Sequence, residues 1–436
     1  MLRNSFCSSP WFHLRLRYDG SFHRCRWAQD TNSTENIRTH SIQDFYNSKS
    51  MRDFRMQFLE GKKPDCCKSC YYEDSFDKLS GRKRQLLKSA ITVGDFELSA
   101  RASPHYQQFS HSWENGGESS YHPVDLQIDL GNLCNSGCVM CHPTASSKLE
   151  RDYEKLHEVE EDLFKKYDRY ESWTKDPAAM ARFIESIKGI PNLGYIHLLG
   201  GETLFDPAFY AICDALIDAR MSHKITLGTT TNGTIYNDKI EKYSKMFKEF
   251  HLGISIETVT DLNDYIRWPS KIGSVLENIM KFKALRDQSK RLFVSLRITP
   301  NVFTMSEIDQ LLKFMWENDL PAESCNILQD PKHLRIELMP DNIRRETIDR
   351  LKILARDLDL EKKNILNTRH RDNIKDSIAD LCLEYLNFME TYEIPKDAAE
   401  QRRNLVRFLK AFESLRKNRI TDHAPRYQEF LAAHGY

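Results

Sequence analysis

The stretch LGNLCNSGCVMCHP, residues 130–143, places three cysteines within eight positions in a C-x3-C-x2-C spacing. No fourth cysteine stands near Cys134, Cys138 and Cys141. A structural zinc normally takes four ligands and a disulfide takes two, so neither accounts for three. A [4Fe–4S] cube has four irons, each able to accept one protein ligand. Three thiolates would hold three of them and leave the fourth open to a chelating molecule, such as one with an amino group and a carboxylate on the same carbon. For this motif taken alone, a zinc site and chance clustering remain the alternatives.

Working outward, apolar strand-like runs alternate with helix-length amphipathic stretches. VDLQIDL (124–130) precedes the cysteines, and a helix is expected beyond 145. YIHLL (195–199), KITLGTTT (224–231), HLGISIE (251–257) and RLFVSLRIT (291–299) follow, each leading into a helical stretch. RIELM (335–339) reads as the last strand. Six such repeats predict a parallel sheet with helices outside, barrel-like or doubly wound. No phosphate-binding glycine motif follows the first strand; the cysteines take its place, at the strand end where parallel folds build their active sites.

The chain of 436 residues is long enough for two or three domains. Its 63 basic and 63 acidic residues give no global pull toward nucleic acid or an anionic membrane surface. The apolar runs are far short of the ~18 residues of a membrane span. Residues 1–20 alternate arginine with apolar residues and lack the apolar core of a signal peptide. Eleven cysteines in such a chain point to metal or redox chemistry in a reduced, cytoplasmic setting rather than to a disulfide framework.

Five of those cysteines, Cys7, Cys25, Cys66, Cys67 and Cys70, lie in the first ~90 residues. FHLRLRYDGSFHRCRW (12–27) alternates on both sides of Asp19-Gly20 and predicts a β-hairpin with a type I′ turn. From about 75 to 120 the chain is polar and reads as a connection. Beyond Pro340 it is helical and charged. Arg402–Arg419 carries seven basic residues against Glu413 alone, which reads as a solvated helix face, with contact to RNA or a substrate tail as the alternative.

The spacing of Cys134, Cys138 and Cys141, on a loop after the first strand, resembles the radical SAM superfamily. HLLGGETLFD (197–206) resembles that family's GGE motif, and TTTNGT (229–234) its TNG segment. In GISIETVTDLNDYIRWPS (253–270), Ser255-x-Glu257 resembles its ribose-contacting pair, and Arg267 an arginine that reaches the SAM carboxylate. The resemblance covers about 124–340. It implies a (βα)6 partial TIM-like barrel, a SAM-binding [4Fe–4S] cluster on the three cysteines, and SAM itself on Gly200, Gly201, Glu202, Asn232, Ser255, Glu257 and Arg267. Met140 stands where the family packs the adenine on an aromatic, Thr203 where it often has proline, and Ser295 and Arg297 are further SAM candidates. Of the isolated cysteines, Cys213 reads as core, and Cys325 as a residue able to face the barrel.

Cys7-x12-Gly20-x4-Cys25 resembles the first half of the SPASM/twitch signature of auxiliary cluster domains, and Cys67-x2-Cys70 completes four ligands. Family members usually carry this domain after the barrel. A second [4Fe–4S] cluster is implied there, with zinc as the alternative and Cys66 as a rival to Cys67. The expected division is an auxiliary cluster domain (1–90), a linker (91–123), the radical SAM core (124–340) and a helical extension (341–436). The resemblance implies reductive cleavage of SAM to a 5′-deoxyadenosyl radical that abstracts hydrogen, in an oxidative modification of a peptide or protein. Oxidation of a sugar, cofactor precursor or RNA nucleoside, and a non-catalytic zinc scaffold, are the other readings. Implied partners are an electron donor such as flavodoxin or ferredoxin and a peptide, protein or small-molecule substrate, with no membrane and nucleic acid not favoured.

Overall fold

The computed structural model describes residues 2–28, 34–75, 80–92, 96–167, 169–365 and 372–436. One eight-stranded sheet organises the chain, in the order β2-β1-β3-β4-β5-β6-β7-β8. The strands are β1 (His13–Leu16), β2 (Phe22–His23), β3 (Asp125–Asp129), β4 (Tyr195–Leu199), β5 (Thr226–Thr231), β6 (Glu249–Ser255), β7 (Leu292–Ile298) and β8 (Ala322–Cys325). All neighbours from β1 and β3 onward pair in parallel, and only β2 runs antiparallel to β1. Helices cross between consecutive core strands, so the core is an open, partial (βα)6 barrel.

Strand parity explains the layering. Leu126, Ile128, Ile196, Leu198, Leu227, Leu252, Ile254, Val294 and Leu296 are fully or almost fully buried and share one face, against the helices. The other parity carries Gln127, His197, Gly228, His251 and Phe293, which the strand register lines up as one layer, with Arg15 beside Gln127. This lumen layer therefore carries an amide and two imidazoles beside Phe293, where a structural barrel would carry branched aliphatics.

Three expectations change. The sixth core strand is Ala322–Cys325, not RIELM, whose Ile336–Leu338 forms a 3-10 turn. The chain leaving the helix Ile308–Glu317 reaches β7 at once, where Leu296 N–H donates to Pro321 O at 2.8 Å, so the edge is filled before 335. The AESC run is too short and polar for an alternation pattern to reveal it. The hairpin is present, but its turn is not type I′, which needs positive φ at both central residues. Only Gly20 is left-handed, at φ 84°; its N–H closes on Arg17 O at 2.9 Å, and Arg17 N–H reaches Ser21 O at 2.9 Å. That is a three-residue loop whose glycine makes the bulge. Moreover, β1 pairs with β3 over four residues, His13↔Asp125 to Leu16↔Ile128, so the hairpin extends the core sheet.

The polar connection is helical. Phe96–Ala102 and Tyr106–Glu114 are helices, and Phe109 packs its ring edge-on against Phe6 and Trp11. Trp11 Nε1 donates to Ser112 Oγ at 2.8 Å, and Gln108 Nε2 to Trp11 O at 3.2 Å. Each helix offers few apolar residues to the core, which left its composition polar. Beyond Pro340 lie the helices Asp341–Ile365, Asp372–Thr391 and Ala398–Arg416. The basic run on the last of these is spent largely within the chain: Arg407 pairs with Glu160, Arg416 with Asp152, and Arg402 lies over Phe430.

Candidate functional site

Loops at the carboxyl ends of β3 to β7 converge on the three-cysteine segment. Leu130 N–H donates to Leu199 O at 2.7 Å, Gly201 N–H to Gly131 O at 2.9 Å and Glu202 N–H to Leu133 O at 2.8 Å, so the Gly-Gly-Glu turn lies directly against the start of the cysteine loop. A Cβ on Gly201 would stand 2.6 Å from both Asn132 O and Leu133 O, whereas one on Gly200 would meet nothing closer than 3.3 Å. Gly201→Ala must therefore push the cysteine loop aside and Gly200→Ala need not. The expected outcome, read by iron content and thermal melting, is loss of loop-bound iron with a drop of about 2–3 kcal/mol for Gly201→Ala and under about 1 kcal/mol for Gly200→Ala.

Glu202 is buried and already engaged. Its Oε1 accepts from Leu204 N–H (3.0 Å) and Thr231 Oγ1 (2.6 Å), and its Oε2 from Asn232 N–H (2.5 Å). Burial raises its pKa, opposed by those hydrogen bonds and Arg267. A carboxylate offers about four acceptor sites, so one remains for an ammonium. Asn232 ties the third strand end to the cysteine loop, its Nδ2 donating to Asn135 Oδ1 (2.7 Å) and Ser136 Oγ (2.9 Å). Asn135 and Ser136 thus join the site; they had escaped notice because polar residues between metal ligands carry no signal of their own.

Glu257 is fully buried, two residues past the end of β6, and pairs with Arg267 at 2.5 Å while accepting from Thr299 N–H at 2.8 Å. Burial raises the Glu257 pKa, and Arg267 opposes it. Arg267 Nε is buried without a hydrogen-bond partner among the described residues, leaving a donor for a further anion. Ser255 sits opposite Arg297 in the ladder, and Met140 is half-buried in the cysteine loop. The loop is also pinned to the segment bearing Arg267: Gly137 N–H donates to Trp268 O (2.6 Å) and Val139 N–H to Ile266 O (2.9 Å).

The thiols respond to these surroundings. Burial pushes Cys134 up to about 12. Cys138 is held below the ordinary cysteine range, first by its hydrogen bond with Cys141, then by Arg267 and Arg416. Cys141 is correspondingly raised.

Within the lumen, His197 is 6 % exposed, and neither ring nitrogen has a hydrogen-bond partner among the described residues. Burial, then Arg297 and Arg26, lowers its pKa to about 3, so it stands neutral. Thr230 Oγ1 is likewise buried without a partner. A polar residue at lumen parity in the otherwise apolar YIHLL was the available signal. Asp125 and Asp129 are taken up by cations, Asp125 by Lys88 (3.2 Å) and Arg26 (3.6 Å), Asp129 by Arg15 (2.6 Å).

At the far side of the hairpin, Cys7, Cys25, Cys67 and Cys70 line one cavity, with Tyr71 and Arg82 in its wall. Cys7 and Cys25 flank the hairpin, and the other two come from a 3-10 turn leading into the helix Lys68–Ser75. All four thiols are uncrosslinked and raised, Cys70 to about 11 by burial and Cys67 first by hydrogen bonding with Cys66. Among the described residues no three His, Cys, Asp or Glu groups converge closely enough for a single metal ion. Four thiol donors on one cavity are the ligand number of a fully coordinated [4Fe–4S] cluster, and also of a four-thiolate zinc. Cys66 lies outside that lining. Cys66→Ser should keep full iron content and Cys67→Ser should lose about four irons per chain, as iron and sulfide assays would read.

Cys213 is core, as is Cys382. Cys325 ends β8, and its side chain lies outside the described residues.

A family model described as the Radical SAM superfamily matches residues 128–315. A second, an iron–sulfur cluster-binding domain of the SPASM type, matches residues 7–71. No curated protein matches the sequence. Among solved structures, Streptococcus suis SuiB bound to its precursor peptide SuiA is 15 % identical with a TM-score of 0.32, covering 58 % of this chain and 51 % of its own. The anSMEcpe structure with bound AdoMet is 17 % identical with a TM-score of 0.38, covering 56 % and 62 %. The chain thus spans between half and two thirds of the length of these structures. Residues 128–315 thus form a radical SAM domain, the kind that brings a [4Fe–4S] cluster and S-adenosylmethionine, and the SPASM segment, of a type that brings auxiliary iron–sulfur chemistry, precedes it in the chain.

Proposed function

We propose that the chain oxidises a polar side chain of a peptide or protein held in the barrel lumen, passing the released electron toward the front cavity. When bound, the cluster and S-adenosylmethionine supply a 5′-deoxyadenosyl radical able to take hydrogen from an unactivated C–H bond. Cys134, Cys138 and Cys141 hold the SAM cluster. Gly200 to Glu202 and Asn232 receive the amino end of SAM, Arg267 its carboxylate, and Ser255 and Glu257 its ribose. Cys7, Cys25, Cys67 and Cys70 hold the auxiliary cluster. With all four thiolates engaged, that cluster has no open iron for a substrate and serves as an electron acceptor.

The observation that carries the reading is the lumen: an unpartnered neutral imidazole and an unpartnered hydroxyl, buried in a polar layer beneath the SAM-side loops. Unsatisfied buried polar groups cost about 1–3 kcal/mol each, a cost that a hydrogen-bonding substrate group removes. The same observation favours a second reading, a sugar or nucleoside oxidised by the same chemistry. The match to an enzyme superfamily weighs against the zinc scaffold.

The test is anaerobic turnover with SAM, flavodoxin or ferredoxin as donor, and a peptide library in deuterated form. Deuterium passing into 5′-deoxyadenosine with a two-hydrogen mass loss in a peptide is the expected result. Transfer only from sugar or nucleoside mixtures would move the assignment to the second reading, and no transfer from His197→Leu is expected in either case.

A further inference from the structure

The helix Ala398–Arg416 lies outside the 128–315 match, yet its last residue reaches the cysteine loop. The Arg416 side chain is 5 % exposed. Its guanidinium stacks over Trp268 (4.7 Å to the ring centre) and Phe412 (4.3 Å) and pairs with Asp152 at 3.1 Å. It abuts the loop itself: a Cβ on Gly137, between Cys134 and Cys138, would stand 3.1 Å from Arg416 Nη2. Arg416 Nε and Nη1 are buried without hydrogen-bond partners among the described residues. Arg416, stacked on Trp268, and Arg267 thus both attach to the 266–268 segment, to which the loop is hydrogen-bonded through Gly137 and Val139.

An arginine is costly to bury with two donors idle, unless a negative centre lies within reach. Among the described residues Asp152 is the one carboxylate that pairs with it. A cluster on three thiolates is negative, and becomes more so on gaining an electron. In a low-dielectric setting a nearby cation favours the more negative state.

We propose that Arg416 is a positioning residue that raises the reduction potential of the cluster held by Cys134, Cys138 and Cys141, placing control of SAM cleavage in the helical extension. The inference rests on the ligand assignment of those three cysteines. No proton or co-reactant is involved: the cluster takes one electron from the external donor, and Arg416 alters only how readily.

The experiment is an EPR-monitored redox titration of the anaerobically reconstituted full chain, following the signal that changes when SAM is added. Arg416→Gln should retain its iron and show at least a tenfold fall in the reduced-to-oxidised ratio at fixed potential, 59 mV for one electron. Arg416→Lys, which keeps the charge, should recover most of that ratio. Asp152→Asn, which removes the counter-charge, should move the ratio the other way. An unmoved midpoint in Arg416→Gln at full iron, or a lysine variant no better than glutamine, overturns the proposal. Should Arg416→Gln fail to hold iron, Asp152→Asn decides alone, and no rise in its midpoint overturns the proposal. Survival of the SAM-sensitive signal in Cys134/Cys138/Cys141→Ala would instead overturn the ligand assignment, a separate failure.

Discussion

Replacing Cys134, Cys138 and Cys141 together by alanine should remove about four of roughly eight irons per chain and abolish 5′-deoxyadenosine formation, leaving the fold and the front cluster in place. The loop keeps its shape through contacts that do not involve the thiols. Ser147 N–H donates to Asn132 O at 2.6 Å, Ser146 Oγ to Ser136 O at 2.6 Å, and Gly137 and Val139 hold the 266–268 segment. Three alanines therefore cost packing but break none of these hydrogen bonds. Iron and sulfide analysis of wild type and variant, with dithionite-driven SAM cleavage on both, reads the result. Four irons with a zinc in the wild type would keep the enzyme and make the front site structural. Retention of all iron in the variant would mean that this loop holds no cluster.

The second large effect is on stability. Arg267→Met should destabilise the chain by about 3–5 kcal/mol, because it strands the fully buried Glu257 carboxylate without its cation. Glu257→Gln should cost less, since Thr299 N–H still finds the amide oxygen and the charge left unpaired is that of Arg267, whose side chain keeps 14 % exposure, against none for Glu257. The double variant should be more stable than Arg267→Met alone, a coupling of opposite sign to the single loss, as denaturant titrations of the four proteins would read. If Arg267 acted only through SAM and not through Glu257, the apo proteins would melt alike. SAM binding should fall in both single variants, because Arg267 keeps an idle Nε donor only while Glu257 orients it.

Much of this was legible in the residues. Five core strands announced themselves by apolar alternation, because β3 to β7 bury one full face against helices, and the cysteine spacing marked the loop on which the strand ends converge. What stayed hidden had physical causes. β8 is an edge strand with no apolar face to display, so RIELM, whose Ile336 and Leu338 are buried by a turn rather than a ladder, took its place in the reading. The hairpin was read from its dipeptide, but Asp-Gly serves two loop lengths, and Gly20 alone takes the left-handed conformation. The contact of Arg416 with Gly137 spans most of the chain, and nothing local to either residue signals it. Glu202 was read as a ligand group only. Its three hydrogen bonds make it equally a fastener between strand ends, a role that needs the fold to be seen.

The ladder between β1 and β3 has a consequence for how the metal sites mature. A strand of four residues paired with one of two is too small to stand alone in water. The cysteines flanking that hairpin are therefore presented together only after His13 to Leu16 have found Asp125 to Ile128, more than a hundred residues downstream. Such a closure is slow relative to local helix formation. The front site consequently cannot be filled before the first core strand has emerged and docked. A fragment ending before that strand should bind no cluster, however intact its four cysteines.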